Sequence, residues 1–266
     1  MEDYHHVETE FDARAGEADS GSSSAFVAVY DGHGGYRAGE YLKQYLHRNV
    51  KKEVNFDGEP SAAGWFENVT EQIIRAFNIT DLHFLEWADR DNLRDGSTAT
   101  TVVLLDDTVL CCNVGDSRTV LCRDGGAKAL SEDHKPDLPR ERNRIEALGG
   151  SVRWYGCYRV EGDLAVSRAF GDKDLKKYVP SDPDLRKEKL QKGDEFIVLA
   201  SDGLWDVMSN QEVVDHVKKH SKKGTNMTSA AHALVVEAYN RNSTDNITCV
   251  VFDVKRWLSK TRSGGD

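Results

Sequence analysis

No apolar run in this chain approaches the roughly 18 residues that a membrane-spanning helix needs, and no basic-then-apolar secretion signal opens it. A soluble protein without a secretory address or a membrane partner is the expectation. Cysteine is scarce and oddly counted: Cys111, Cys112, Cys122, Cys157 and Cys249, five in all with no CxxC spacing. Four of them stand in apolar or strand-like stretches, where a free thiol behaves as a small hydrophobe. That excludes a zinc ribbon and points to a reduced, intracellular setting. Positive charge is also short, with 35 Lys and Arg against 45 Asp and Glu, a net charge of −10. Such a balance speaks against a nucleic-acid or anionic-membrane surface as main partner. There is no GxxxxGK[ST], hence no Walker-type nucleotide site, no internal repeat, and no linker long enough to divide the 266 residues.

What is present is patterned. Glu17 to Ser24 is small and polar and reads as a loop before a strand at Ala25–Tyr30. Beyond Gly34-Gly35, Ala38, Tyr41, Leu42, Tyr45, Leu46 and Val50 recur at helical spacing, and a second helix is expected from about Ala62 to Asn92. Thr98–Leu105, Thr108–Val114, Ser117–Arg123 and Ala127–Leu130 read as an antiparallel meander broken by Asp and Gly turns. Pro139–Leu148 reads as a helix closed by Gly149-Gly150. Phe196–Ala200 is a buried strand, and Ser209 to Glu212 is a capping box that opens a helix toward Lys219. Thr228–Asn240 is a further helix and Ile247–Val254 a last strand. Long helices with many antiparallel strands imply one α+β domain, sheets inside and helices outside.

Two places share a design. "FVAVYDG" ends at Asp31-Gly32 and "FIVLASDG" at Asp202-Gly203, each an apolar strand running into Asp-Gly. Asp245 stands before a strand in "TDNITCVVFDV", Asp116 in the turn of "CCNVGDSR", and Asp206 four residues past Asp202. Singly, each reads as turn chemistry. The first two resist that reading, because a hairpin turn returns to a pairing strand and these lead into Gly-rich or helical segments. Several carboxylates, with a peptide carbonyl where Gly permits close approach, are the hard oxygen donors that Mg²⁺ or Mn²⁺ takes. Two such ions about 4 Å apart would acidify a bridging water. His33, beside Asp31, could then protonate a leaving alkoxide.

These residues fall into a wider pattern. "MED" at Met1–Asp3, "FVAVYDGHGG", "DGSTAT" at Asp95–Thr100, "NVGDSR" at Asn113–Arg118 and "LSEDHKP" at Leu130–Pro136 follow one another, continued by "RIEALGGSV" at Arg144–Val152. "GDLAVSRAFGD" at Gly162–Asp172, "LASDGLWDVMS" at Leu199–Ser209 and "TDNITCVV" at Thr244–Val251 complete the series. In this order they resemble the metal-dependent protein serine/threonine phosphatases of type 2C, over nearly the whole chain. The resemblance implies an α+β fold with a central β-sandwich of two antiparallel sheets, flanked by α-helices on both outer faces in four α-β-β-α layers. It implies a binuclear Mn²⁺ or Mg²⁺ centre, with Asp31 bridging the ions and Glu2 and the Gly32 carbonyl on one of them. Asp202 and Asp245 would bind the other, Asp116 and Asp206 a weaker third, and His33 would be the general acid. The reaction implied is direct attack of metal-bound water on phosphoserine or phosphothreonine. The partners are then phosphorylated proteins, met by a monomer in the cytoplasm and/or nucleus. The domain is expected over 1–257, lacking part of its first strand, with a polar tail at 258–266.

Two departures qualify the resemblance. In the family an arginine three residues before the Met-Glu-Asp contacts the substrate phosphate, and this chain begins at that Met. A lost charge-assisted contact costs roughly 1.5–3 kcal/mol, so a truncated or internally started domain of weakened activity is the expectation, with a phosphatase-like binding module as the alternative. The stretch from Asp172 to Lys187 is short, implying a compact flap whose Lys173, Lys176 and Lys177 either greet an acidic substrate or are simply solvated. A rival chemistry also fits "CNVGDSR": Cys112 as thiol nucleophile and Arg118 as phosphate clamp. It needs a helix N-terminus and a lowered thiol pKa, whereas the flanks read as strands.

Overall fold

The computed structural model describes residues 1–11, 23–221 and 226–263. In chain order it forms β1 (Tyr4–Glu8), β2 (Ser24–Tyr30), β3 (Gly32–His33), α1 (Arg37–Glu53), α2 (Trp65–Arg90), β4 (Gly96–Ser97), β5 (Ala99–Leu105), β6 (Thr108–Val114), β7 (Arg118–Arg123) and β8 (Gly126–Ala129). Then come α3 (Pro139–Ala147), β9 (Val152–Tyr155), β10 (Cys157–Val160), β11 (Phe170–Gly171), β12 (Asp184–Lys189) and β13 (Asp194–Ala200). The chain closes with α4 (Asp202–Trp205), α5 (Asn210–His220), α6 (Met227–Asn240), β14 (Cys249–Asp253) and α7 (Val254–Ser263).

Two antiparallel sheets make the sandwich, one ordered β1-β2-β5-β6-β12 and the other β14-β13-β7-β8. Side-chain alternation on β2 shows why its apolar run is unbroken. Ala25, Val27 and Val29 pack between the sheets with Val102, Leu121, Ile197 and Leu199. Phe26, Ala28 and Tyr30 point outward, against Leu42 and Leu46 of α1 and Ile73 and Phe77 of α2. A strand covered on both faces has no polar side to show in its sequence. The second sheet is covered likewise, with Val198 and Val251 meeting Val213 and Val217 of α5 and Leu234 of α6. The α+β sandwich with helices on both outer faces is therefore the fold, as the sequence implied.

Three expectations change. The meander is not continuous: β5 pairs with β6 and β7 with β8, but β7 pairs next with β13. Between β6 and β7 the chain crosses from one sheet to the other, at Gly115 with φ of 92°. Strand periodicity reports which residues alternate, not which sheet they join, so hairpin and crossover look alike in sequence. Of the polar tail expected at 258–266, residues 258–263 continue α7, which buries Trp257 and Leu258 under the sandwich, and 264–266 lie outside the described residues. Trp257 Nε1 donates to the Asp106 carbonyl at 2.7 Å. Finally, in the compact Asp172–Lys187 stretch two of the three lysines are tied inward rather than solvated. Lys176 Nζ pairs with Asp81 at 2.8 Å, Lys173 reaches the Ala88 carbonyl, and β12 runs along β6 as an edge strand. Most of the loop expected at Glu17–Ser24 lies outside the described residues.

Charged edges account for the strands that patterning passes over. β12 reads DLRKEK and β1 reads YHHVE, polar compositions that edge strands tolerate because only one side is paired.

Candidate metal centre

Tyr30 ends β2 and Ala200 ends β13, on facing sheets, and both strands stop at the same end of the sandwich, with Asp31 directly after the first and Asp202 two residues after the second. The crossover turn carries Asp116 to that end. Carboxylate oxygens of Asp31, Asp116 and Asp202 lie within 4.8 Å of one another. They open on a cleft of about 300 Å³, which Glu2, Gly32, His33 and Asp245 also line. Arg159 of β10 and Leu164 form part of the same wall. Asp206 does not line it. That residue is exposed overall, while partial burial of its carboxyl raises the pKa and Lys135 opposes the rise.

The backbone is held tightly around these groups. The Asp31 amide donates to Thr98 Oγ1 at 3.2 Å, and the Thr98 amide returns a bond to the Asp31 carbonyl at 2.9 Å. An ideal Cβ on Gly32 would stand 2.5 Å from the Glu2 carbonyl oxygen, so glycine is required there by close approach. The Glu2 amide donates to Asn246 Oδ1 at 2.8 Å, tying the first residues to the Asp245 turn. Asp95 organises the glycine loop: it accepts from the Arg37 amide at 3.0 Å and its guanidinium at 2.9 Å. It thereby caps α1, whose own N-cap residue Tyr36 offers no side-chain bond.

Electrostatics set the chemistry. Burial, then the charges of Asp3, Asp202, Asp116 and Asp245, hold the Asp31 carboxyl well above the usual carboxylate range. Burial and Asp116 push Asp202 up to about 7, with Lys135 opposing. Lys135 Nζ pairs with Asp116 Oδ2 and lies 3.7 Å from Asp202 Oδ2. Even with that cation, the acids repel one another enough to keep protons they would lose in water. A set of all-oxygen, mutually repelling buried donors fits hard divalent cations and suits zinc or copper poorly.

Three further residues belong to the site and were not singled out from sequence. Asp3 is buried and accepts from Ser201 Oγ at 2.8 Å. His33 Nε2 donates to Asp172 Oδ2 at 2.8 Å. Burial works to lower the His33 pKa, but the charge and hydrogen bond of Asp172 prevail and it is raised. Lys135 is the third. Each stands inside a stretch already quoted, "MED", "AFGD" and "EDHKP", but nothing in those letters says which side chain turns inward.

The thiol reading fails on geometry. Cys112 is buried in β6, its pKa driven upward by burial, and Arg118 is committed to Asp133 at 2.6 Å and Asn210 at 2.7 Å. A larger open groove of about 670 Å³ lies over Arg118, Asp133 and Asn210, but those charges are already paired with each other.

A family model described as "Protein phosphatase 2C" matches residues 1–247. "Probable protein phosphatase 2C 59" of Arabidopsis thaliana is 47% identical over 253 residues, covering 94% of this chain and 74% of that protein. "Probable protein phosphatase 2C 45" of Oryza sativa subsp. japonica is 46% identical, covering 94% and 82%. Among solved structures, the serine-threonine phosphatase 2C from Toxoplasma gondii aligns with a TM-score of 0.77 at 25% identity, covering 94% of this chain and 99% of that one. A C. elegans sex determining protein aligns at 0.80 with 21% identity, covering 98% and 64%, a likeness of fold alone.

Proposed function

The chain belongs to the protein phosphatase 2C family, and from that premise we propose that it hydrolyses phosphoserine and phosphothreonine in proteins at the Asp31–Asp202 cleft. Members of this family are metal-dependent serine/threonine phosphatases, and the chain is an enzyme of that class. The observation that carries the proposal is the meeting of Asp31, Asp116 and Asp202 oxygens within 4.8 Å. Two Mn²⁺ or Mg²⁺ ions would be held there, Asp31 shared between them, Glu2 and the Gly32 carbonyl serving one and Asp202 and Asp245 the other. The family resemblance gives Asp116 and Asp206 a weaker third, of which Asp116 lies in the cleft and Asp206 outside it. When bound, such ions supply the positive charge that the acids lack and make a water nucleophilic toward phosphorus at neutral pH.

The protein's own groups do the rest. The carboxylates position and neutralise, and the tight Gly32–Glu2 approach keeps the donor set from spreading. Asp172 accepts from His33 Nε2 and favours the protonated ring, so that Nδ1, the nitrogen Asp172 does not hold, can pass its proton to the serine or threonine alkoxide that leaves. Arg159, a cation on the cleft wall, attracts the phosphate dianion. Five free thiols suit a reduced compartment, cytoplasmic or nuclear.

Dialysis against a chelator followed by Mn²⁺ add-back tests the reading, with a phosphothreonine peptide and p-nitrophenyl phosphate as substrates. Activity is expected to fall to background and return with the metal. Full activity after chelation overturns the metal mechanism. A folded protein inactive at every metal level would instead support a binding module, which the complete set of acids does not favour.

His33→Gln is expected to lower kcat on the phosphopeptide by about 10²–10⁴-fold, the range of a positioned general acid. The loss should be much smaller on p-nitrophenyl phosphate, whose leaving group departs without a proton. Asp172→Asn should show the same substrate asymmetry to a lesser extent. Equal losses on both substrates would remove His33 from the acid role.

A further inference from the structure

Away from the cleft, β1 and α1 bring together His6, Glu8 and His47, one ligand atom of each within 4.8 Å of the others. His6 and Glu8 are two residues apart and so share a face of β1, with His6 Nε2 3.6 Å from Glu8 Oε2. The His47 ring lies over His6, centroids 4.0 Å apart, and Phe26 meets His6 edge-on at 6.0 Å. His6 Nε2 is buried without a hydrogen-bond partner, and the His47 ring, whose Nδ1 is likewise buried, has only the Lys43 backbone one turn back. Orphan nitrogens of this kind are rare in folded proteins, and an ion or ordered water commonly accounts for them. Here His6 Nε2 stands 3.6 Å from the Glu8 carboxylate, and His47 offers a ring nitrogen within 4.8 Å of both.

We propose that His6, Glu8 and His47 form a second metal site, separate from the acidic cleft, that takes a zinc-class divalent cation on two imidazole nitrogens and one carboxylate oxygen. Two histidines and one acid are a donor set for Zn²⁺ or Co²⁺, whereas Mg²⁺ keeps to oxygen. The rings are 16° from parallel, so their in-plane lone pairs converge only after one ring turns. That motion is about χ2, a broad torsion for histidine. Arg48 and Lys51 repel charge at His47, which makes the Glu8 carboxylate a necessary ligand rather than an accessory.

The site is well removed from the cleft. Four residues of extended chain from Glu2 to His6 span about 13 Å, and ten helical residues from Arg37 to His47 about 15 Å. An ion here would clamp β1, an edge strand paired only with β2, onto α1. The same strand begins two residues after Glu2, so the clamp would steady one wall of the cleft from outside it.

The test uses the full chain, stripped of metal and then given millimolar Mg²⁺ to fill the acidic cleft. Co²⁺ is titrated in and followed by visible absorption, with Zn²⁺ as competitor. One equivalent with the strong bands of a low-coordinate, nitrogen-ligated ion is expected, displaced by Zn²⁺. Glu8→Gln and His6→Asn should weaken uptake more than about 10-fold, as losses around metal ligands do, with unchanged circular dichroism. Asp202→Asn should leave uptake intact. Glu8→Gln should also keep its Mn²⁺-dependent phosphatase activity, which separates this proposal from that of the cleft. Uptake lost in Asp202→Asn and kept in Glu8→Gln would place the ion in the cleft and overturn the second site. So would a folded wild type that takes up no Co²⁺ or Zn²⁺ at micromolar concentration, leaving water on the two nitrogens.

Discussion

Asp31→Asn is expected to abolish phosphatase activity while making the metal-stripped protein more stable. The activity loss should reach at least about 10³-fold in kcat/KM, since metal charge stabilisation is worth several kcal/mol and about 1.4 kcal/mol is tenfold. Stability moves the other way because Asp31 is a buried acid among acids, its carboxyl held well above the usual carboxylate range. A raised carboxyl pKa means the native state binds more protons than the unfolded chain between the two values. Wild-type stability without metal therefore falls as pH rises through that window. Asparagine removes the charge and keeps the shape, so the variant should gain stability at neutral pH and little below pH 4. With Mn²⁺ present the order should invert, because only wild type binds the ions well and is stabilised by them. Thermal melts at acid and neutral pH, with and without chelator, measure all of this. An Asn variant that is less stable than chelated wild type would show that Asp31 is not under electrostatic strain.

Glu141→Ala should be the most damaging single change away from the cleft, costing about 3–5 kcal/mol, the loss seen when one partner of a buried ion pair is removed. Glu141 of α3 is 1% exposed and accepts from Arg144 Nη2 at 2.8 Å and Arg168 Nη2 at 2.6 Å. Arg168 in turn donates to Asp184 Oδ1 of β12 at 2.9 Å, and Arg144 to the Tyr178 and Ser167 carbonyls. One acid thus ties α3 to the segment leading into β11 and to the start of β12. Burial works to raise its pKa, yet the bonds from Arg168 and Arg144 bring it down to about 2. Because the folded value is depressed, the pair's contribution is fully present above the unfolded value near 4.5. It fades as pH falls toward 2. Denaturant titrations of wild type and Glu141→Gln should converge across that interval, and curves that stay parallel would refute the assignment.

Local physics was readable in the letters. The capping box at Ser209 makes both of its bonds, Ser209 amide to Glu212 Oε2 at 2.8 Å and Glu212 amide to Ser209 Oγ at 3.4 Å. The runs before Asp31 and Asp202 are strands buried on both faces, and the helical spacings of α1 and α6 held within a residue or two. Motif order carried the family. Less legible were β1 and β12, whose polar edge compositions carry no burial signal, and α7, whose short apolar pair Trp257-Leu258 sits among charges.

By itself, then, the sequence determined which residues alternate, where strands stop, and which acids stand at those stops. Only the tertiary structure decided that Gly115–Ser117 carries the chain between sheets, that His33 faces Asp172, and that Glu141 answers two arginines. It alone set two histidines and a glutamate from separate elements side by side. The reason is physical: periodicity and turn chemistry are properties of neighbours along the chain, whereas repulsion, desolvation and coordination depend on distances that packing alone sets.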